Sequence, residues 1–288
     1  MINQAEQVDA RRIACMEVWG GHDGFVGEVS VPGNDVFVGC TPHVGDAQGG
    51  DIYYVSNCAA GMITRFVLAD VAGHGSVVAA SAASLRDLMR RYINTADQRK
   101  FARALNKKFA SDAGRFATAV LVTYFSPTDH AVICNAGHPR PLHRSIRTGK
   151  WRFLDGTCEG TLASASAGKF GATNLPLGII HPTGYEQFAV QLERGDLLAL
   201  YSDAFLEASG SDGKPWGEDG LLDVINSVDA SDPSQFRTLV LAEIARRTGA
   251  PTLDDDATMV VLHHNASDPP TQSLKERIVV LGKVLGLR

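Results

Sequence analysis

No two cysteines in this 288-residue chain are spaced C-x-x-C, and the five present (Cys15, Cys40, Cys58, Cys134, Cys158) are odd in number and scattered. That pattern excludes a thiolate zinc site and a disulfide framework, and leaves the thiols reduced and mostly buried. Long apolar runs are missing too. None approaches the ~18 residues of a membrane span, and MINQAEQVDARRIACMEVWGG has neither the basic start nor the apolar stretch of a secretion signal. The expectation is a cytoplasmic protein with no membrane partner. Basic blocks are absent as well. With 27 Lys and Arg against 32 Asp and Glu, the net charge of −5 argues against nucleic acid as a partner.

What is present is an ample core, with 44% hydrophobic residues, distributed over short β-rich runs punctuated by glycine and proline. DVFVGCTPHVGDAQGGDIYYV followed by MITRFVLAD reads as strand, turn, strand. In SVVAASAASLRDLMRRYI, the residues Val78, Ser81, Leu85, Leu88 and Tyr92 fall on one helix face, and the many small residues predict close packing on a sheet. A second helix follows, with Thr95 and Gln98 fitting a capping box and Phe101, Leu105 and Phe109 on one stripe. FATAVLVTYF and HAVICNA form a hairpin around SPTD. Residues 145 to 185 have no period and read as a loop region or short-strand excursion. EQFAVQL and DLLALYSD resume the strand pattern. The helix SQFRTLVLAEIARR is bounded by Asp232 with Pro233 and by Gly249, and DDDATMVVLHH closes as a strand preceded by acids. Strands outnumber helices without alternating with them, so the class is α+β, a sandwich rather than a doubly wound sheet. One domain is expected over residues 1–265. In the tail, 266–288, Leu274, Ile278, Leu281 and Leu285 keep helical spacing, for packing on this domain or against a second copy in a homodimer.

Four acidic positions adjoin β-rich runs: Asp51 in GGDIYYV, Asp70 in FVLADVAGHG, Asp203 in LLALYSDAF, and the run Asp254, Asp255, Asp256. Carboxylates at neighbouring strand ends can converge, and like charges about 4 Å apart repel strongly unless a cation lies among them. Mg²⁺ or Mn²⁺ suits such a set, because each takes oxygen ligands and keeps several waters. The plainer reading of any single strand-end aspartate is a turn former or helix cap, as at Asp129, Asp196 and Asp212. Gly49 and Gly50 before Asp51, and the Gly73-His74-Gly75 loop after Asp70, favour the metal reading, since such loops let backbone approach an ion or phosphate closely.

CNAGHPR, residues 134–140, has the C-x-x-G-x-x-R spacing of the phosphate loop of cysteine-dependent phosphatases. Three features oppose that chemistry. Pro139 and Pro141 remove two backbone N–H groups that such a loop needs, and Ile133 stands where that class usually has histidine. Cys134 then reads as the buried end of a strand, with Arg140 a candidate substrate contact.

The stretches GGDIYYV, ADVAGHG, FATAVLVTYF, NAGHPRPL, LPLGI, GDLLALYSDAFLEA and DDATMVVL, in this order from about residue 45 to 263, resemble the metal-dependent (PPM) serine/threonine protein phosphatases, specifically the bacterial SpoIIE-like branch. The resemblance implies a four-layer αββα sandwich with two divalent cations, Mn²⁺ or Mg²⁺, at one edge of the paired sheets. Asp70 is then shared by both ions, Asp51 and the Val71 carbonyl serve one, and Asp203 and Asp255 serve the other, with Asp256 behind them. His74, Gly75 and Arg140 fall toward the substrate. The implied reaction is hydrolysis of phosphoserine or phosphothreonine in a regulatory protein by a water bridging the two cations, and branch members often act on phosphorylated anti-anti-sigma factors. The alternative is a weakly active or silent module of the same fold that only binds a phosphoprotein. Two departures bear on this: Ala204 replaces the usual glycine after the metal aspartate, and Tyr54 replaces a second acid after GGD.

Overall fold

Alternation along β-strands sorts the apolar residues of this chain into separate layers. The computed structural model of the protein describes residues 11–43, 48–58, 61–73, 76–93, 95, 97–111, 116–163, 173–210 and 213–267. The strands are β1 (Arg11–Arg12), β2 (Val18–Asp23), β3 (Phe25–Val31), β4 (Asn34–Thr41), β5 (Gln48–Cys58), β6 (Ile63–Val71), β7 (Ala117–Phe125), β8 (His130–Ala136), β9 (Leu142–Arg144), β10 (Trp151–Phe153), β11 (Thr161–Ala163), β12 (Phe188–Gln191), β13 (Leu197–Tyr201) and β14 (Ala257–His264). The helices are α1 (Ser76–Arg91), α2 (Gln98–Ser111), α3 (Ala204–Glu207), α4 (Gly217–Ser227) and α5 (Pro233–Thr248).

Two seven-stranded sheets result, ordered β1-β3-β4-β14-β13-β9-β10 and β11-β12-β8-β7-β6-β5-β2, antiparallel throughout except for the β1–β3 pair. Between them lies a core in which Tyr53, Phe66, Leu68, Val120 and Val122 of the second sheet meet Val36, Val38, Leu200, Val260 and Leu262 of the first. Alternate residues face outward. Ile52, Val67, Ala69 and Leu121 pack under Val78, Leu85 and Met89 of α1 and Phe101 and Leu105 of α2. On the far side, Leu197, Ala199, Met259 and Val261 pack under Leu221 and Val224 of α4 and Phe236 and Val240 of α5. The order is helices, sheet, sheet, helices: the αββα sandwich expected from the sequence. Each large side chain buried this way contributes about 1.5–3 kcal/mol.

Several boundaries differ from expectation. Helix α2 is capped by Asp97, whose Oδ1 accepts from the Arg99 N–H at 3.0 Å, and not by a Thr95–Gln98 box. Gln98 turns inward, its N–H bonded to Gln187 and its side chain buried, so it cannot reach back. The 145–185 region contains β10 and β11, and its residues 164–172 lie outside the described residues. β2, β3 and α4 had no sequence expectation. The caps of α5 are as expected: the Asp232 side chain accepts from the Ser234 N–H, Pro233 starts the helix, and Gly249 ends it at φ 76. Asp129 lies in the β7–β8 turn at φ 55, while Asp212 and residues 268–288, which hold the tail's four leucine and isoleucine positions, lie outside the described residues. Among the described residues no helix is long and apolar enough to cross a membrane.

Candidate active site

Strand register brings the aspartates together. Across β5, β6 and β7 the inter-sheet face reads Val55–Phe66–Val122, then Tyr53–Leu68–Val120, then Asp51–Asp70–Thr118. The row that ends the apolar core is thus two carboxylates and a hydroxyl. On the facing sheet, the Val38–Val260 pair gives way to Cys40–Thr258. Ser202 sits beside them, its hydroxyl donating to the Asp256 carbonyl and accepting from the Thr258 N–H, each at 2.9 Å. Asp203 follows at once as the N-cap of α3.

Gly50 explains how backbone reaches this row. A Cβ on Gly50 would lie 3.0 Å from the Val71 carbonyl oxygen, 3.3 Å from Asp70 Oδ1 and 3.6 Å from Asp256 Oδ2, so three oxygens from two segments surround one point. A Cβ on Gly49 would collide with the Asp256 carboxylate. Asp256 accepts from the Gly50 N–H and, at 2.8 Å, from the His43 N–H, which ties the strand β14 approach to the β4–β5 connection.

Among the described residues, the main charges acting on the cluster are other carboxylates. Burial first, then Asp203, Asp255, Asp256 and Glu207, push the Asp70 carboxyl up to about 7. Asp51 is held well above the usual carboxylate range by burial, with Asp70 and Asp256 adding to it. The Thr258 and Ser202 hydroxyls face Asp51 and oppose that shift, yet its Oδ2 is buried with no hydrogen bond. Asp203 is raised by burial and then by Asp255. Among the described residues no three His, Cys, Asp or Glu side chains already converge on one ion position. A hard divalent ion does not require that: one or two carboxylates, a carbonyl and waters complete its shell. The donor set of Asp51, Asp70, Val71, Asp203 and Asp255, all oxygen and net negative, fits such ions.

Other expected residues are placed differently. His74 and Gly75 lie outside the described residues. Arg140 donates to Glu218 through Nε and Nη2 and to Asp155 through Nη1, with its guanidinium over the Phe153 ring, so its polar edge is engaged by the protein. Cys134 is fully buried inside β8, opposite Leu121, and burial pushes its thiol up to about 12. It is no nucleophile. Tyr54 faces α1, where its hydroxyl donates to the Ala82 carbonyl at 3.1 Å, so the departure at this position does not touch the carboxylate row. Ala204 is buried at the start of α3.

Three residues lacked a sequence assignment. Glu207 of α3 acts on Asp70 as a further carboxylate. Thr118 closes the row, and His138 of the NAGHP turn bonds to it through Nδ1 at 2.8 Å. Burial pushes the His138 imidazole down to about 3, opposed by the Tyr201 backbone, so the ring is neutral near pH 7. The strand pattern of FATAVLV held a signal for Thr118, since period two puts it on the face of Val120 and Val122.

The family described as Stage II sporulation protein E (SpoIIE) matches residues 61–265. The chain belongs to the SpoIIE family. Among curated relatives, Stage II sporulation protein E of Bacillus subtilis (strain 168) is 30% identical over 108 residues, which are 37% of this chain and 12% of that protein. The chain therefore matches only a small part of its relative's length. Among solved structures, the RsbU and RsbW domains of Rv1364c from Mycobacterium tuberculosis superpose with a TM-score of 0.64 at 25% identity, covering 84% of this chain and 63% of that one. The PP2C phosphatase domain of SpoIIE from Bacillus subtilis gives a TM-score of 0.63 at 17% identity, over 84% and 64% of the two chains. RsbX in complex with magnesium gives 0.57 at 16% identity, over 83% and 98%. This SpoIIE-family chain thus has the PP2C phosphatase fold, and its family and structural neighbours are PP2C-type phosphatases.

Proposed function

We propose that the domain is a metal-dependent phosphatase that hydrolyses phosphoserine or phosphothreonine in a regulatory protein. One observation supports the reading: Asp70, its register partner Asp51 with an unpaired buried oxygen, the Val71 carbonyl and Asp203 lie at one edge of the paired sheets with mutual repulsion, and no cationic side chain among the described residues pairs with them. Asp70 would serve two cations, Asp51 and the Val71 carbonyl one of them, Asp203 and Asp255 the other. Two Mn²⁺ or Mg²⁺ ions at such a site supply an activated water and offset charge on the phosphoryl oxygens.

The chain's own residues do the rest. Asp256 holds the Gly50 and His43 backbone N–H groups beside the row. Ser202 pins the ends of β13 and β14, which sets where Asp203 and Asp255 start. The buried Cys40–Thr258 floor excludes water from behind the carboxylates. A phosphoryl group carries about −1.5 to −2 charge near neutral pH, so it approaches this acidic edge only when the cations are present. That makes cation dependence strict.

His74, Gly75 and Arg140 remain substrate-side residues in this reading; for Arg140, engagement of a phosphoprotein requires release of Glu218 or Asp155. The partner is a phosphorylated protein of the anti-anti-sigma-factor type, a reading supported by the likeness to the RsbU and RsbW domains of Rv1364c. The reading keeps the protein in the cytoplasm, where its free thiols stay reduced. Phosphate release from a phosphoseryl protein should require Mn²⁺ or Mg²⁺ and collapse in Asp70→Asn. A rate unchanged by chelator rejects the proposal, and phosphoprotein binding without turnover in the presence of Mn²⁺ favours the silent-module alternative.

A further inference from the structure

His138 has no structural account. Its side chain is buried, its Nδ1 bonds to Thr118 Oγ1, and its buried Nε2, with the Tyr201 backbone nearby, makes no hydrogen bond of normal geometry. An unpaired buried polar atom costs about 1–3 kcal/mol, so packing alone favours an apolar ring here. The turn that carries it is firmly fixed. Asn135 Oδ1 accepts from the His138 N–H at 2.8 Å, and Asn135 Nδ2 donates to the carbonyls of His138 and Pro139 at 2.8 and 3.3 Å. Gly137, at φ 70, bridges to Ala119 of β7, and a Cβ there would lie 2.5 Å from Pro176. The backbone therefore delivers the imidazole to Thr118.

Thr118 in turn flanks Asp70. The two are register partners on one face of the sheet, where Cβ atoms of such a pair stand roughly 5 Å apart. The other cross-strand neighbour of Asp70 is a carboxylate, Asp51, so the hydroxyl support in the row comes from the β7 side. A threonine hydroxyl can donate once and accept twice. With Nδ1–H of the neutral ring donating, Thr118 Oγ1 accepts from His138, which fixes the rotamer and leaves the one hydroxyl proton to donate to the carboxylate. Residues behind metal-ligating carboxylates set their orientation, and losing one typically costs about 10–100-fold in metal affinity or activity.

We propose that His138 and Thr118 form a positioning pair that holds Asp70 in the orientation its cations need. This rests on the two-cation reading above. Calorimetric titration of the metal-free protein with Mn²⁺ tests it, alongside turnover of p-nitrophenyl phosphate. Thr118→Val, which keeps shape and removes the hydroxyl, should weaken Mn²⁺ binding by roughly 10–100-fold, and Thr118→Ser should restore it to within about 3-fold. His138→Phe should match Thr118→Val, and the double variant should be no worse than either single, since both remove one linkage. A purely structural role would lower the melting temperature while leaving Mn²⁺ affinity unchanged. If circular dichroism shows Thr118→Val or His138→Phe unfolded, Thr118→Ala and His138→Asn take their place with the same expectation. Thr118→Val binding Mn²⁺ within about 2-fold of wild type, while Asp70→Asn loses it, overturns the positioning role alone. Asp70→Asn binding like wild type instead overturns the two-cation reading, and the positioning role with it.

Discussion

β7 carries a polar residue at each end of its inter-sheet face, Thr118 and Tyr124, and the two ends of the sandwich treat their polar groups in opposite ways. At the Tyr124 end the charged group is matched, although Asn57 Oδ1 and Thr64 Oγ1 of the same row are buried without a hydrogen bond. The Tyr124 hydroxyl donates to Asp129 Oδ1 at 2.7 Å and lies 3.3 Å from His264 Nδ1, which meets the Gly33 carbonyl at 2.8 Å, while His264 Nε2 lies 3.5 Å from Asp129. One carboxylate is matched there by a hydroxyl and an imidazole. At the Thr118 end, Asp51, Asp70 and Asp203 are pushed toward their protonated forms by burial and by one another. Both ends are polar and both close the same apolar core. Among the described residues only the second end has carboxylates without a charge partner, and in the proposed function that is where the cations bind.

Removing a carboxylate from the uncompensated end should break this contrast most. Asp70→Asn should lower Mn²⁺-dependent phosphatase turnover by roughly 100-fold or more, and should raise the melting temperature of the metal-free protein at pH 8 by relieving repulsion. Next, His264→Ala at the compensated end should cost about 2–3 kcal/mol of stability by emptying a buried ring site and deleting the bond to the Gly33 carbonyl, while Tyr124 and Asp129 keep one another, with turnover unchanged; urea denaturation and initial rates check the two halves. The pH response sharpens the difference. The Asp51, Asp70 and Asp203 carboxyls are all raised on folding, so the metal-free folded chain binds protons more tightly than the unfolded chain. Their stabilisation is full below about pH 4 and is lost as pH rises through the folded values, about 7 for Asp70. Thermal melts of the metal-free protein should fall from pH 5 to pH 8, and saturating Mn²⁺ should flatten that slope. The smallest effect belongs to Cys134→Ser, remote from both ends in the helix-facing layer: turnover unchanged, and about 1–2 kcal/mol lost by burying a hydroxyl in apolar surroundings.

Much of this was legible before any coordinates. Period-two runs gave β6, β7, β8, β13 and β14, the period of 3.6 gave α1, α2 and α5, and the position of each aspartate beside a strand gave the cluster. What the sequence hid were relations that need register. Asp51, Asp70 and Thr118 are 19 and 48 residues apart along the chain, and only the pairing of β5, β6 and β7 makes them one row. Thr118 looks like an ordinary β-branched strand residue, and His138 like part of a turn. Arg140 was misleading for the opposite reason: its motif spacing suggested a phosphate clamp, whereas its guanidinium is committed to Glu218 and Asp155. Helix α4 escaped because GEDGLLDVINS opens with two glycines and three acids, residues that weaken a helix signal until Leu221, Val224 and Ile225 find the outer face of the sheet.

The most direct test of the central claim is the number of Mn²⁺ ions bound by the wild-type metal-free protein, measured by calorimetry at pH 7.5. The uncompensated carboxylate row predicts two per chain, with at least one lost in Asp70→Asn. Binding of none, or the same stoichiometry and affinity in both proteins, would contradict it.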